Sequence, residues 1–165
     1  MHLRRLIRHL LTTRFVARQR FPRAAFAAIE RAIQTAELTH AGQIVFALEA
    51  SLDMPHLWHR VGSRHRALQV FAQLGVWDTS ANNGVLIYVL LADRIVEIVA
   101  DRGIAARVQQ AEWEQICREM QRHFRAGDYA KGATEGIRLT GELLTRHFPG
   151  GKSPTDELSD RPVLL

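Results

Sequence analysis

Residues 82–103 read NNGVLIYVLLADRIVEIVADRG, two short apolar runs placed back to back with polar groups at both outer ends. Val85–Leu91 is apolar or aromatic at every position, so both faces of this strand must be covered, as in a central strand between two layers of helices. Ile95–Ala100 alternates, because Glu97 interrupts one face, which is typical of a strand nearer the edge of a sheet. With Ala92-Asp93-Arg94 as the turn, the stretch predicts an antiparallel hairpin.

The segments on either side of the hairpin predict how the sheet is covered. Gln43–Ala50 is typical of a first strand, with one amphipathic helix before it, from Pro22 to Thr39, and another after it, from Asp53 to Gly75. Because such crossovers are right-handed, the first two strands are expected to be parallel. Two further helices end near Gly127 and Phe148. We therefore expect an α/β fold: a three-layer α/β/α sandwich with a small mixed sheet, a βαβ unit followed by an antiparallel hairpin, and helices on both faces.

Composition and hydrophobic pattern predict the division of the chain into segments and its cellular location. The 165 residues are 47% apolar, enough for one core of ordinary size. The pattern predicts a basic amphipathic helix over 1–21, an α/β domain over 22–149 and a disordered tail over 150–165. The single cysteine, Cys117, excludes an internal disulfide framework, and its apolar neighbours place it in the core. No apolar run reaches the roughly 18–20 residues of a membrane span and no secretory signal is recognisable, so a cytoplasmic location is expected.

Basic residues are concentrated at the N-terminus. The net charge is +5, and seven arginines precede the first acidic residue, Glu30. The apolar residues of this arm recur at helical spacing, which favours a helix docked on the domain with its arginines in solvent. They are Leu3, Leu6, Ile7, Leu10, Leu11 and Phe15. In the alternative, the arginine-rich helix meets a protein partner or an anionic membrane surface; nucleic acid is not an expected partner.

Topology brings polar residues together at one rim of the sheet. The start of the second strand and the end of the third lie on the same side of an antiparallel pair, and the first strand enters there with His40 and Gly42. Carboxylates with amide oxygens suit Ca²⁺ or Mg²⁺, whereas the N-terminus of the helix after Gly103 suits an anion such as phosphate. The predicted ligand-binding residues are Asn82, Asn83, Asp101 and Arg102, and the predicted metal ligands are Asp78, Asn83 and Asp101.

Structural roles remain open for each of these residues. Asn-Asn-Gly is a common turn composition and Asp101 is a natural helix cap. The opposite rim, with Glu49, Asp53 and Asp93-Arg94, competes as a site, because open α/β sheets bind ligands beyond the C-terminal ends of parallel strands. A strand-end acid such as Glu49 is by default paired or solvated. His56 and His59 are three residues apart, but they lack a strong carboxylate or thiolate partner, which favours a surface pair over a metal site.

The order of these motifs resembles the TPM domain family, named for thylakoid-lumen and photosystem-associated proteins and bacterial membrane-anchored relatives. The resemblance runs from about Pro22 to Phe148 and implies a mixed sheet between helices. It rests on Asn82-Asn83-Gly84-Val85-Leu86-Ile87-Tyr88-Val89, Asp93-Arg94, Ile95-Val96-Glu97-Ile98 and Phe124-Arg125-Ala126-Gly127-Asp128-Tyr129. Where many members have Asp-Asn-Gly, this chain has Asn82-Asn83-Gly84, and where they have Gly-Tyr-Gly it has Asp101-Arg102-Gly103.

The resemblance implies several functions. Some members are described as phosphatases of modest activity, some bind calcium near acidic loops, and others resemble assembly or repair factors for membrane complexes. A family metal site transferred to this chain loses one acid at Asn82 and regains one at Asp101. We expect a noncatalytic interaction module for a protein partner or membrane surface, since no nucleophile motif is recognisable and the arm is unusual. The alternative is a weak divalent-ion-dependent phosphatase acting on phosphomonoesters, with the ion or Arg102 stabilising the phosphoryl oxygens.

Overall fold

The computed structural model describes residues 3–58, 62–153 and 155–165. Eight helices and four strands lie within these ranges. In chain order they are α1 (Leu3–Leu11), α2 (Arg14–Arg20), α3 (Arg23–Glu37), β1 (Gln43–Glu49), α4 (Met54–Trp58), α5 (Ser63–Gln73), β2 (Gly84–Leu90), β3 (Ile95–Ala100), α6 (Arg102–Ala105), α7 (Gln110–Ala126), α8 (Tyr129–His147) and β4 (Val163–Leu164).

The strands form one mixed sheet in the order β3-β2-β1-β4. β1 pairs in parallel with β2, from Gln43 opposite Gly84 to Glu49 opposite Leu90. β2 pairs antiparallel with β3, as the hairpin pattern predicts. Every residue of β2 is buried, whereas β3 is buried only in part, so the central and edge positions expected from the sequence are confirmed.

Alternate residues of the central strands face two separate cores. On one face, Phe46 and Ile87 pack with α2, α3, α7 and α8 around an aromatic group that includes Phe21. On the other face, Ala47 and Tyr88 pack with α4 and α5. Helices therefore cover both faces of the sheet, and the α/β fold expected from the sequence is confirmed.

The C-terminal segment corrects the prediction of a disordered tail. Within the described residues 155–165, β4 adds to the sheet as a parallel neighbour of β1, and the Leu165 amide donates to the Leu48 carbonyl at 2.9 Å. The Gln43 side chain accepts hydrogen bonds from the amides of Glu157 and Leu158 at 2.9 and 2.8 Å. The polar composition is outweighed here by a short apolar end, Val163–Leu165, that completes a sheet edge.

Two single-helix predictions are also wrong. The N-terminal arm forms two helices, because Thr13 caps α2 by accepting the Val16 amide with its hydroxyl at 3.4 Å. Likewise α4 and α5 replace the one helix predicted after Asp53. Within α4 the His56 ring contacts the Asp53 carboxylate, so this histidine does have a carboxylate partner, while His59 lies outside the described residues. Among the described helices, none is both long enough and apolar enough to cross a membrane.

Candidate functional site

The rim formed by the start of β2 and the end of β3 joins all four predicted ligand-binding residues. The Asp101 amide donates to the Gly84 carbonyl at 2.8 Å, which sets the two strand ends side by side. From α6, the Arg102 guanidinium Nε donates to Asn82 Oδ1 at 2.9 Å. The Arg102 amide donates to Asp101 Oδ1 at 2.7 Å, so Asp101 caps the helix as its residue type suggests.

Two oxygens at this rim are buried without a partner among the described residues. They are Asn83 Oδ1 and Asp101 Oδ2. Asn83 is otherwise well held, since its side-chain amide donates to the Ala41 carbonyl and its backbone amide donates to the Thr79 hydroxyl at 3.1 Å. Buried polar atoms normally have partners, so each of these two oxygens is a candidate ligand for a cation or an ordered water.

The observed rim gives less support to Asp78 as a metal ligand and to a phosphate site. Asp78 is exposed, and within the described chain it shares no hydrogen bond or ion pair with the other rim residues. The metal set of Asp78, Asn83 and Asp101 therefore stays a prediction. The helix expected to bind an anion has only four residues, which leaves it little dipole. Gly103 itself is required by close packing, because a Cβ there would lie 2.5 Å from the Asn82 carbonyl oxygen.

A cavity of about 260 Å³ adjoins the rim. Gly42, Asn83 and Phe148 are among its lining residues, and the Arg107 guanidinium lies 5.0 Å from the centre of the Phe148 ring. Next to Gly42, His40 is fully buried and neither ring nitrogen has a hydrogen-bond partner in the described chain. Burial lowers the pKa of His40 to about 4, so the ring is neutral at physiological pH and repels no cation.

On the opposite rim, the hairpin turn anchors the N-terminal arm. The Asp93 carboxylate, 4% exposed, accepts from Arg5 at 2.9 Å and from Arg8 at 2.8 Å, and the His9 ring lies 3.2 Å away. Burial alone raises the pKa of Asp93, but the hydrogen bonds from His9 and Arg5 outweigh burial and lower it to about 2. His9 also accepts the Leu52 amide at 3.0 Å, so α1 is attached to the body through its polar side.

The other side of the arm exposes apolar residues that the sequence predicted to be docked. Leu6 packs partly on the second core, and Ala17 of α2 is fully buried. Four large apolar side chains are instead 45–69% exposed. They are Ile7, Leu10, Leu11 and Phe15, and with the exposed Arg4, Arg14 and Arg18 we call them the N-terminal face.

Glu49 is fully engaged in a buried polar group. The Arg66 guanidinium donates to its two oxygens at 2.8 and 2.9 Å, and the Tyr88 hydroxyl donates to Glu49 Oε2. Burial raises the pKa of Tyr88 well above its usual value, and the Glu49 charge raises it further. The expected pairing of Glu49 is confirmed, and its contacts give it a structural role beneath α5.

Comparisons with known proteins identify the family. The model of the TPM domain matches residues 17–143, and the chain belongs to this family. The NMR structure of BA42 protein from the psychrophilic bacterium Bizionia argentinensis is 31% identical, covers 86% of this chain and 93% of its own, and superposes with a TM-score of 0.75. None of the curated proteins searched matches the sequence.

Two more distant structures share the fold. The N-terminal domain of a protein from P. gingivalis is 22% identical, with coverage of 78% of this chain and 80% of its own and a TM-score of 0.61. The N-terminal domain of cg2496 protein from Corynebacterium glutamicum is 13% identical, with coverage of 82% and 81% and a TM-score of 0.56. At these identities the likeness concerns the fold alone.

Proposed function

We propose that this TPM domain is a noncatalytic module that docks on an anionic membrane surface through its N-terminal face. The observation that carries the proposal is the exposure of Leu10, Leu11 and Phe15, at 60%, 69% and 69%, among arginines. Leu10 and Leu11 end α1 and Phe15 lies at the start of α2. Amphipathic helices with basic neighbours can bind in the membrane interface, with their apolar side chains at the headgroup boundary. A contiguous exposed apolar patch typically marks an interaction surface.

Charge favours an anionic lipid surface over a neutral one. Arg4, Arg14 and Arg18 are exposed and form no ion pair with the described residues, so their charges are available to lipid headgroups. Each basic residue near an anionic bilayer contributes about 1 kcal/mol to the free energy of binding, so three arginines together contribute roughly 3 kcal/mol. Within α1, Arg4, Ile7 and Leu11 follow helical spacing, so basic and apolar groups reach the same surface.

Vesicle binding tests this proposal. The full chain should sediment with vesicles of phosphatidylcholine containing about a third phosphatidylserine, and binding should fall with salt because charge attraction is screened. The double variant Leu11→Ser/Phe15→Ser should lose most of the binding. Leu68→Ser, at a residue on α5 with 47% exposure, is the matched control and should bind normally. Absence of wild-type binding, or equal binding by all three proteins, would reject the membrane role and leave a protein partner.

A second candidate function is weak binding of a divalent cation at the rim, with phosphomonoester hydrolysis. It is favoured by the unpartnered Asn83 Oδ1 and Asp101 Oδ2, since amide and carboxylate oxygens are the ligands that Ca²⁺ and Mg²⁺ take. These residues fit a cation, although the Arg102 guanidinium on Asn82 adds a competing positive charge. When bound, such an ion neutralises phosphoryl charge. Arg102 is exposed and supplies a second positive group at the same edge.

Calcium titration followed by amide NMR tests this second candidate. Under it, the Asn83 and Asp101 amides shift at millimolar ion, and Asn82→Asp tightens binding by adding a carboxylate. Asp101→Asn should abolish the shifts, whereas Asp78→Asn tests whether the exposed acid is also a ligand. Hydrolysis of para-nitrophenyl phosphate should then depend on the ion. A wild-type chain with no shift and no hydrolysis would reject the candidate without bearing on vesicle binding.

A further inference from the structure

Three carboxylates converge where the C-terminal segment crosses the end of α3. Each of Glu37, Asp156 and Asp160 offers an oxygen, and these oxygens lie within 4.8 Å of one another. Glu37 belongs to the body of the domain and is only 3% exposed, while both aspartates come from the segment. Asp160 Oδ1 is itself buried, with no hydrogen-bond partner among the residues that the structure describes. Asp156 and Asp160 therefore place the segment against the buried Glu37 carboxyl, and they repel Glu37 when all three groups are ionised.

The segment is also held by one short strand, a set of polar contacts and three partly buried leucines. We call residues 155–165 the C-terminal strap. Its sheet contact is the two-residue β4, and Gln43 holds two of its backbone amides. Glu157 accepts the Ser80 hydroxyl at 2.7 Å, and Arg161 lies 3.7 Å from Glu30 at an exposed pair. Leu158 and Leu165 pack on the second core and Leu164 on the first, and each is only partly buried. A two-residue strand held by polar contacts and partly buried side chains can open without unfolding the rest of the sheet.

The protonation state of Glu37 decides whether this contact carries electrostatic repulsion. Its Oε1 accepts the Ile44 amide at 2.7 Å, so the carboxyl is fixed in place. The pKa of Glu37 is raised to about 7, chiefly by burial and also by the charges of Asp160 and Asp156, against the opposing effects of the Ile44 amide and Lys152. Burial likewise raises the pKa of Asp160. At pH 5 Glu37 is therefore neutral, and above pH 7 it is charged.

We propose that the C-terminal strap is a pH-sensitive latch, closed while Glu37 carries a proton and opened by carboxylate repulsion when Glu37 ionises. Opening removes β4 and leaves the backbone of β1 without its outer neighbour, as an exposed sheet edge. Because the pKa of Glu37 is raised in the closed state, the stabilisation is complete below its ordinary value and is lost as pH rises toward about 7.

The charged and titratable groups around Glu37 can be distinguished from Glu37 itself. The charged groups that act on Glu37 are Asp156, Asp160 and Lys152. His40 follows α3 directly, but its pKa of about 4 keeps it neutral throughout the range in which Glu37 ionises. Lys152 lies 3.2 Å from Asp156 and stays charged, so it reduces the repulsion by the same amount at every pH in this range.

Hydrogen exchange of the strap amides in the intact chain tests the latch. The protection factor of Leu165, corrected for the intrinsic rate, should fall by up to about tenfold per pH unit between about pH 5 and 7, since one proton is linked to opening. In Glu37→Gln, which keeps an oxygen for the Ile44 amide, the dependence of protection on pH should fall well below that of the wild type, because only Asp160 then titrates with a raised pKa. Glu30→Gln is the control for loss of a charge facing the strap and should retain the wild-type slope.

Two results would overturn the latch. One is a wild-type protection factor at Leu165 that stays constant across this pH range, and the other is a Glu37→Gln slope equal to that of the wild type. Where Glu37→Gln does not fold, Asp160→Asn serves instead and should give a shallower slope, because one repelling charge is gone. An undiminished slope in Asp160→Asn would also reject the proposal. Exchange of Ile87 in central β2 reports whether global stability changes.

Discussion

Asp93 is the residue whose loss should detach α1 from the domain. Its pKa is lowered from 3.8 to about 2, and each pKa unit corresponds to about 1.4 kcal/mol. Allowing for the exposure of Arg8, the ionised carboxylate contributes roughly 2 kcal/mol to the docked state. Asp93→Asn preserves the size of the side chain but removes this charge. By the same linkage, docking of α1 should be intact above about pH 4 and weaken as pH falls toward 2.

Hydrogen exchange at Leu52 measures this detachment, because its amide donates to His9 at the α1 interface. A loss of roughly 2 kcal/mol should accelerate exchange about thirtyfold in Asp93→Asn. Asp78→Asn removes an exposed carboxylate that has no ion pair within the described chain, and it should leave the rate unchanged. A change below about threefold in Asp93→Asn would show that the ion pairs do not hold α1, and would refute the energetic reasoning.

Three further predictions concern the core. Arg66→Met should destabilise the domain in urea by about 3–5 kcal/mol, because it leaves Glu49 buried and unpaired; a loss below about 1 kcal/mol would contradict the buried pairing. Gly84→Ala places a Cβ 2.1 Å from a backbone carbonyl oxygen and should lower the thermal midpoint strongly, whereas Gly62→Ala meets no atom of the described residues within 4 Å and should not. Burial raises the pKa of Cys117 to about 12, so native thiol labelling at pH 8 should be at least on the order of a hundredfold slower than in urea.

The sheet could be predicted because its strands carry their own signals. Val85–Leu91 is apolar on both faces and Glu97 interrupts the next run, which distinguishes a central strand from an edge strand without any tertiary information. β4 lacks such a signal. Two residues following a polar segment acquire strand geometry only because β1 offers an open edge, which is a long-range effect.

The candidate sites were predictable to different degrees. Strand direction alone places Asn82 near Asp101, and the hydrogen bonds agree with that placement. Periodicity, however, shows only that α1 has an apolar side and not whether that side is covered, so the exposure of Leu11 could not be read from spacing. The contact of Glu37 with Asp160 joins residues far apart in the chain, and no local pattern reports it.

Insertion of the N-terminal face into lipid is the central claim, and fluorescence of Phe15→Trp tests it most directly. Phe15 is 69% exposed, so a tryptophan there starts in water. On anionic vesicles its emission should shift to the blue and be quenched by brominated acyl chains, because the ring enters the interface. The same substitution at Leu68, which is 47% exposed on α5, controls for the tryptophans already present. Emission of Phe15→Trp that is unchanged by anionic vesicles, or that shifts no more than that of Leu68→Trp, would contradict the account.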